Sequence, residues 1–160
     1  MALSEGIEWA AHACALLAAL PPGRSLSVAA LAEFHGLPKA YLAKIMQTLA
    51  RAGLVGSHRG ANGGYRLIRP AQDISLWDIR AALDGPGPEF RCQEIRARGP
   101  CPSLKGATSP CGIAAAFWEA ERLYREQLLE VTVADIVRQV AAHADAERAE
   151  KFYAWLKAAR

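Results

Sequence analysis

No run of apolar residues approaches the ~20 that a membrane-spanning helix requires, and no basic segment precedes the first apolar stretch, which Glu8 and His12 interrupt. Neither a span nor a secretory signal is expected. No two of the four cysteines form a C-x2-C pair, which removes the usual zinc-knuckle spacing. No glycine-rich phosphate loop follows a strand, no nucleophile motif occurs, and His12, His35, His58 and His143 are dispersed, so catalysis is not expected. Repeats and low-complexity tracts are also missing. The expectation is a cytoplasmic protein, where thiols stay reduced and clustered cysteines point to metal or redox chemistry rather than to structural disulfides.

What is present suits a helical protein. The 160 residues are 52% hydrophobic and 22% charged, enough for one domain with extensions, and heavy use of alanine favours helix. The net charge of +3 is unevenly spread. Residues 1–70 carry seven Lys/Arg against three Asp/Glu, whereas residues 71–160 carry twelve against thirteen. The basic half is the candidate for touching a polyanion.

Taken in order, residues 3–20 show Leu3, Ile7, Ala10, Cys14 and Leu17 at helical spacing, with Cys14 as a small core residue. Glu8 and His12, four apart, stack on a neighbouring face. Ser27 caps a short helix closed by Gly36, and Pro38 opens another that runs to Gly53. In that second helix Leu42, Ile45, Met46 and Leu49 face inward, while Lys39, Tyr41, Lys44, Gln47, Thr48 and Arg51 point outward. Two helices joined by a short glycine-containing turn, the second with a basic, amide-bearing face, fit a helix-turn-helix. Residues 54–70 read as two short strands around a glycine-rich connection, and supply Ser57, His58, Arg59 and Asn62 as further candidates for DNA contact. An arginine at the tip of such a wing can enter a narrow minor groove. Asp73 to Gly85 gives an amphipathic helix with Leu76, Ile79 and Leu83 inward. A helical pattern then runs from Ile113 to about Val140, with a possible break at Val131-Thr132, and a charged helix closes the chain over 144–160. The long helix carries Phe117, Leu123, Tyr124, Leu128 and Leu129, and self-association into a two-fold dimer is the simplest way to cover them. The fold class is therefore mainly α with a small β-wing.

Between these helices lies a segment broken by Gly99, Pro100, Pro102, Gly106, Pro110 and Gly112 that presents Cys92, Cys101 and Cys111. From spacing alone this is compatible with incidental free thiols, a zinc-holding loop, or thiols that cycle to a disulfide.

Tyr41-Leu42, Leu49, Ala52-Gly53-Leu54-Val55, Ser57, Arg59-Gly60, Gly63-Gly64-Tyr65, Leu67 and Pro70 together resemble the Rrf2-type winged-helix transcription regulators. The resemblance spans roughly residues 1–140. It implies a homodimeric DNA-binding regulator, often a repressor, on a pseudo-palindromic operator, whose loop cysteines in many members hold an iron–sulfur cluster. Three parts follow from it: a winged helix-turn-helix over 1–85, a cluster-binding loop over 86–112, and a dimerisation helix with a helical tail over 113–160. The cysteine gaps of eight and nine residues are longer than the family's usual loop, and Ala114 stands where some members carry histidine.

Glu8-Trp9-Ala10-Ala11-His12, with Cys92, Glu94-Ile95-Arg96 and Gly99-Pro100, is similar to the branch whose 2Fe–2S cluster is bound by two cysteines, a glutamate and a histidine. That resemblance implies Cys92 and Cys111 from one chain and Glu8 and His12 from its partner, with Cys101 as an alternative ligand. Two other arrangements within the family's range are a 4Fe–4S or nitric-oxide-sensing site on all three cysteines, and a thiol-based regulator without iron.

Overall fold

The computed structural model describes residues 4–58, 60, 63–98, 100 and 110–159, so Arg59, Asn62 and Cys101 lie outside the described residues. The architecture is the expected one: mainly α, with a two-stranded wing following a helix-turn-helix and a long helix beyond it.

Helix α1, Glu5–Ala18, buries Gly6, Ala10, Ala13, Cys14, Leu16 and Leu17. Small residues dominate this face, which lets neighbouring helices approach closely. Ser27 accepts a hydrogen bond from the Ala30 amide at 3.1 Å and starts α2, Val28–His35. Such a cap contributes about 1 kcal/mol by satisfying an otherwise unpaired amide. Gly36, at φ 65°, ends α2 in the left-handed conformation that glycine adopts without steric cost. Pro38 occupies the cap position rather than the first turn, and α3 runs Lys39–Arg51. Leu42, Ile45, Met46 and Leu49 are all buried, as their 3.6-residue period requires.

Strands β1, Val55–His58, and β2, Gly64–Leu67, pair antiparallel with Val55 opposite Leu67 and His58 opposite Gly64. His58 thus lies in a strand rather than in the connection. The wing is tied to the core by Leu26, whose N–H and C=O pair with the Tyr65 carbonyl and amide at 3.0 and 2.7 Å. Close backbone approaches, within the wing at Gly63 and at Leu26 for Gly64, dictate the Gly63-Gly64 pair. A Cβ on Gly63 would lie 2.7 Å from the His58 carbonyl and 2.8 Å from that of Gly60, and one on Gly64 would run into the Leu26 carbonyl.

Ser75 and Asp78 form a capping box that starts α4, Leu76–Asp84, with Ile79 and Arg80 buried. Leu76 and Leu83, expected inward, are only half-buried. The long helix α5 covers Gly112–Glu130 and stops there. Thr132 and Asp135 build a second capping box and start α6, Val133–Ala142, at the break noted in the sequence. The reason is a short β-bridge: Leu76 N–H donates to the Val131 carbonyl at 2.9 Å and Val133 N–H to the Ile74 carbonyl at 2.8 Å. This turns the chain, and α6 packs on α1. Helix α7, Ala146–Ala158, docks on α2, with Phe34 against Trp155 and Phe152 at centroid distances of 4.5 and 6.0 Å and Leu156 buried. Arg24 holds its end by donating to the Leu156 and Ala159 carbonyls. Among the described residues no helix is long and apolar enough to cross a membrane.

Replacing Gly64 with Ala should force Leu26 and β2 apart and cost roughly 2–4 kcal/mol, the range of a backbone clash with no flexible side chain to give way. Thermal unfolding monitored by circular dichroism checks this, with Gly60→Ala, where nothing stands near the added carbon but φ is 117°, as the comparison for backbone strain alone.

Candidate nucleic-acid interface and thiol site

Helix α3 turns Lys39, Lys44, Gln47 and Arg51 to solvent. Thr48 sits beside them, accepting a hydrogen bond from Arg51 at 3.1 Å. Ser57 and His58 are exposed on β1 next to this helix. The result is one basic and polar surface built from a helix and the start of a wing, with Arg59 and Asn62 outside the described residues. Tyr41 departs from a purely outward role. It is 46% exposed, yet its ring meets Trp9 of α1 edge-on at 5.0 Å. Trp9 was not singled out by spacing, and only its contact with α3 reveals it.

Glu8 and His12 are exposed on α1, one turn apart. His12 faces the ring of His35 at 5.4 Å. Burial, and then repulsion from His12, push the His35 imidazole below its ordinary value. Cys14, on the opposite side, is sealed in the core, and burial pushes its thiol up to about 12. It has no part in thiol chemistry.

Cys92 and Cys111 both lie within the electrostatic reach of one cation. Arg96 feels the charge of both sulfurs, and its guanidinium also grips Glu94 through two hydrogen bonds of 2.6 and 2.9 Å. Glu94 is held at φ 45°, the one non-glycine residue at positive φ among those described, and its amide points at Cys92 Sγ at 3.4 Å. Cys111 occupies the N-cap of α5. The amides of Ala114 and Ile113 hold its thiol below the ordinary value, burial opposes them, and Arg96 adds a smaller pull. Unpaired helix amides favour an anion at that position. The chemistry available is therefore that of a thiolate: metal ligation, or attack on an oxidant or disulfide. Cys92 and Cys111 are half-buried. Among the described residues of one chain no group of three or more His, Cys, Asp or Glu side chains could hold a metal ion. Glu8 and His12 are thus not gathered with the two cysteines within a single copy, and Cys101 lies outside the described residues. Spacing drew attention to the cysteines and to the Glu8/His12 pair. Arg96 was visible in the sequence only as part of the Glu94-Ile95-Arg96 motif, not for its electrostatic pull on Cys111.

Three comparisons bear on this arrangement. The family profile "Rrf2: Iron-dependent Transcriptional regulator" matches residues 3–139. The chain is similar to YffB of Lactococcus lactis subsp. lactis (strain IL1403), assigned as an HTH-type transcriptional regulator, with 34% identity over 136 residues that cover 85% of this chain and 86% of that one. Among solved structures, T. potens IscR superposes with a TM-score of 0.68 at 28% identity, covering 91% of this chain and 93% of that chain. CymR, the global cysteine regulator of B. subtilis, superposes at 0.70 with 23% identity over 91% and 99%, a likeness of fold alone.

The lowered Cys111 thiol makes a pH-dependent expectation for metal-free protein. A depressed value leaves more thiolate at neutral pH, so alkylation of Cys111 by iodoacetamide should reach half its limiting rate at a lower pH than a free thiol does. Arg96→Gln should move that midpoint only slightly upward, because the helix amides are the larger cause. Cys14 should stay unmodified until the protein unfolds. Mass spectrometry of peptides after timed alkylation reads all three.

Proposed function

The chain belongs to the Rrf2 family of transcriptional regulators, and on that premise we propose that it works as a homodimeric DNA-binding repressor that senses redox or iron–sulfur status. The sensor in this proposal is a 2Fe–2S cluster on Cys92 and Cys111, completed by Glu8 and His12 of a second copy. Residues 1–85 read DNA, 86–112 carry the cluster, and 113–160 pair the copies and brace the reading unit. The carrying observation is the lowered Cys111 thiol at the N-cap of α5, with Cys92 on the same loop. The amides of Ala114 and Ile113, with a smaller pull from Arg96, favour at Cys111 the anionic form that ligates metal. The donor set fits an iron–sulfur site in its chemistry: two sulfurs on the loop, and a carboxylate and an imidazole exposed one turn apart on α1. A cluster held this way supplies one-electron redox chemistry, at a potential raised by replacing thiolate with neutral imidazole, as in Rieske centres.

This chain's own residues then supply a path to DNA. Glu8 and His12 flank Trp9, and Trp9 meets Tyr41 on α3. A change in how α1 is held shifts α3, and movements of 1–2 Å suffice because half-site spacing is a geometric requirement. The lowered Cys111 thiol equally favours a regulator without iron, in which Cys92 and Cys111 cycle between thiols and a disulfide.

Dimerisation is supported by α5, which leaves Ile113, Phe117, Leu123 and Leu129 exposed. Leu123→Glu should preserve the fold, since Leu123 is 54% exposed, but should place an unpaired carboxylate in the interface and yield monomers in sedimentation. Those monomers should lose specific operator affinity. Lys39→Ala and Lys44→Ala should instead leave dimers that bind every sequence more weakly, with a flatter salt dependence, while Arg59→Ala should cost roughly 1–3 kcal/mol at the operator. A wild-type monomer at micromolar concentration would end the dimer reading.

The cluster reading is tested after anaerobic purification by visible absorption with iron and sulfide analysis. Cys92→Ala and Cys111→Ala should abolish the colour, Glu8→Ala or His12→Ala should change its spectrum or lability, and Cys101→Ala should be nearly silent. Iron loss from Cys101→Ala alone, with Glu8→Ala and His12→Ala unchanged, would favour a 4Fe–4S site on three cysteines. A colourless, iron-free wild type that forms a Cys92–Cys111 disulfide would favour the thiol reading.

A further inference from the structure

A cavity of about 260 Å³ opens where α4, the turn over residues 86–89 and α5 meet. Its wall contains Arg80, a cation only 3% exposed, which donates to the Gly85 carbonyl at 2.6 Å and to the Glu89 carboxylate at 2.7 Å. A third donor of the same guanidinium, Nε–H, is buried and has no partner. The Tyr124 hydroxyl, also lining the cavity, is likewise buried and unpartnered. Burial, the largest cause, pushes its phenol above the ordinary value. Across the space stands Arg125, with no carboxylate within ion-pair distance among the described residues. Trp77 is flanked by both guanidiniums, their carbons 5.0 and 5.2 Å from its ring centroid, and Trp118 adds a second indole to the lining.

These features narrow the occupant. Two buried unmet hydrogen-bonding groups and a spare guanidinium call for an acceptor. Of the two carboxylates in the lining, Glu89 is taken by Arg80 and Glu121 accepts from the Phe90 amide, against three arginines, Arg80, Arg122 and Arg125, which disfavours a cation. Two indole walls and a volume near the lower end of ligand sites favour a single flat ring over an extended molecule. We infer that this cavity binds a small planar aromatic carboxylate, which accepts from Arg80 Nε, the Tyr124 hydroxyl and the Arg125 guanidinium while its ring lies against Trp77 and Trp118. Helix α4 packs on both α1 and α3, so such a ligand occupies a joint between α5 and the DNA-reading helix. The site borders the proposed cluster-binding loop through Pro86, Gly87, Pro88 and Glu89 but uses none of Cys92, Glu94, Arg96 or Cys111 and none of the exposed face of α3, and it stands whether or not the chain carries iron.

Benzoate serves as the probe, titrated into the full metal-free chain without DNA and followed by calorimetry and tryptophan fluorescence. Benzoate should bind in the millimolar range or tighter and perturb the indole emission. Benzamide, the same shape without charge, should bind at least about tenfold more weakly. Tyr124→Phe and Arg125→Met should each weaken benzoate about tenfold, the worth of one hydrogen bond to a charged group. Tyr124→Phe removes a hydroxyl that has no partner, so its melting temperature should not fall, and Arg125→Met keeps the stem that covers Trp77. Absence of heat and of a fluorescence change through the millimolar range would overturn the inference. So would equal binding of benzamide, or unchanged benzoate affinity in both variants.

Discussion

A pair of main-chain hydrogen bonds, from Leu76 N–H to the Val131 carbonyl and from Val133 N–H to the Ile74 carbonyl, fixes how the long helix stands on the winged helix. Without this bridge the apolar pattern from Ile113 onward could continue as one rod. With it, α5 ends at Glu130, two capping boxes start α4 and α6 side by side, and α6 folds back on α1. Both capping boxes satisfy backbone groups at the place where two helix starts meet, so the junction carries little unpaired polarity. The bridge thereby ties the end of α5 to the start of α4, which packs on α1 and α3.

The elements that were legible in the sequence are those whose physics is local. Ser27 and Gly36 mark the ends of α2 because a side-chain oxygen and a missing Cβ each solve a terminus problem within one turn. Leu42, Ile45, Met46 and Leu49 show the buried face of α3 because one helical period suffices to align them. The glycine pair of the wing was visible as a motif, but the cause of Gly64 was not: Leu26 reaches Tyr65 as a single residue with no strand around it, and one residue has no period to read. Helix α7 was visible as a helix, while its seat on Phe34 was not, because docking partners distant in sequence leave no spacing signal.

The candidate site divides along the same line. Cys92, Cys111, Glu8 and His12 stood out by residue type and by an i,i+4 spacing. The parts played by their neighbours, visible only as letters of a family motif, did not. Arg96 lies 15 positions before Cys111 in a segment without regular structure, and Glu94 holds it from a backbone conformation that no propensity would assign to glutamate. Residues that set the charge state of a thiol are thus harder to read than the thiol itself. Trp9 was hidden for a related reason: in a helix rich in alanine, one more apolar residue looks like core until its neighbour on α3 is known.

The hold of Arg24 on the end of α7 joins positions 132 and 135 apart in the chain. During synthesis from the N-terminus, the winged helix has all its own residues before Leu156 is added. Contacts this distant in sequence also close late on entropic grounds. Helix α7 therefore arrives at a surface that is already folded, and until it does, Phe34 has no aromatic cover from Trp155 and Phe152. A nascent or interrupted chain carries that apolar patch in the open, where a chaperone or protease can recognise it, so docking of α7 marks the moment at which the reading unit loses its appearance of being unfinished.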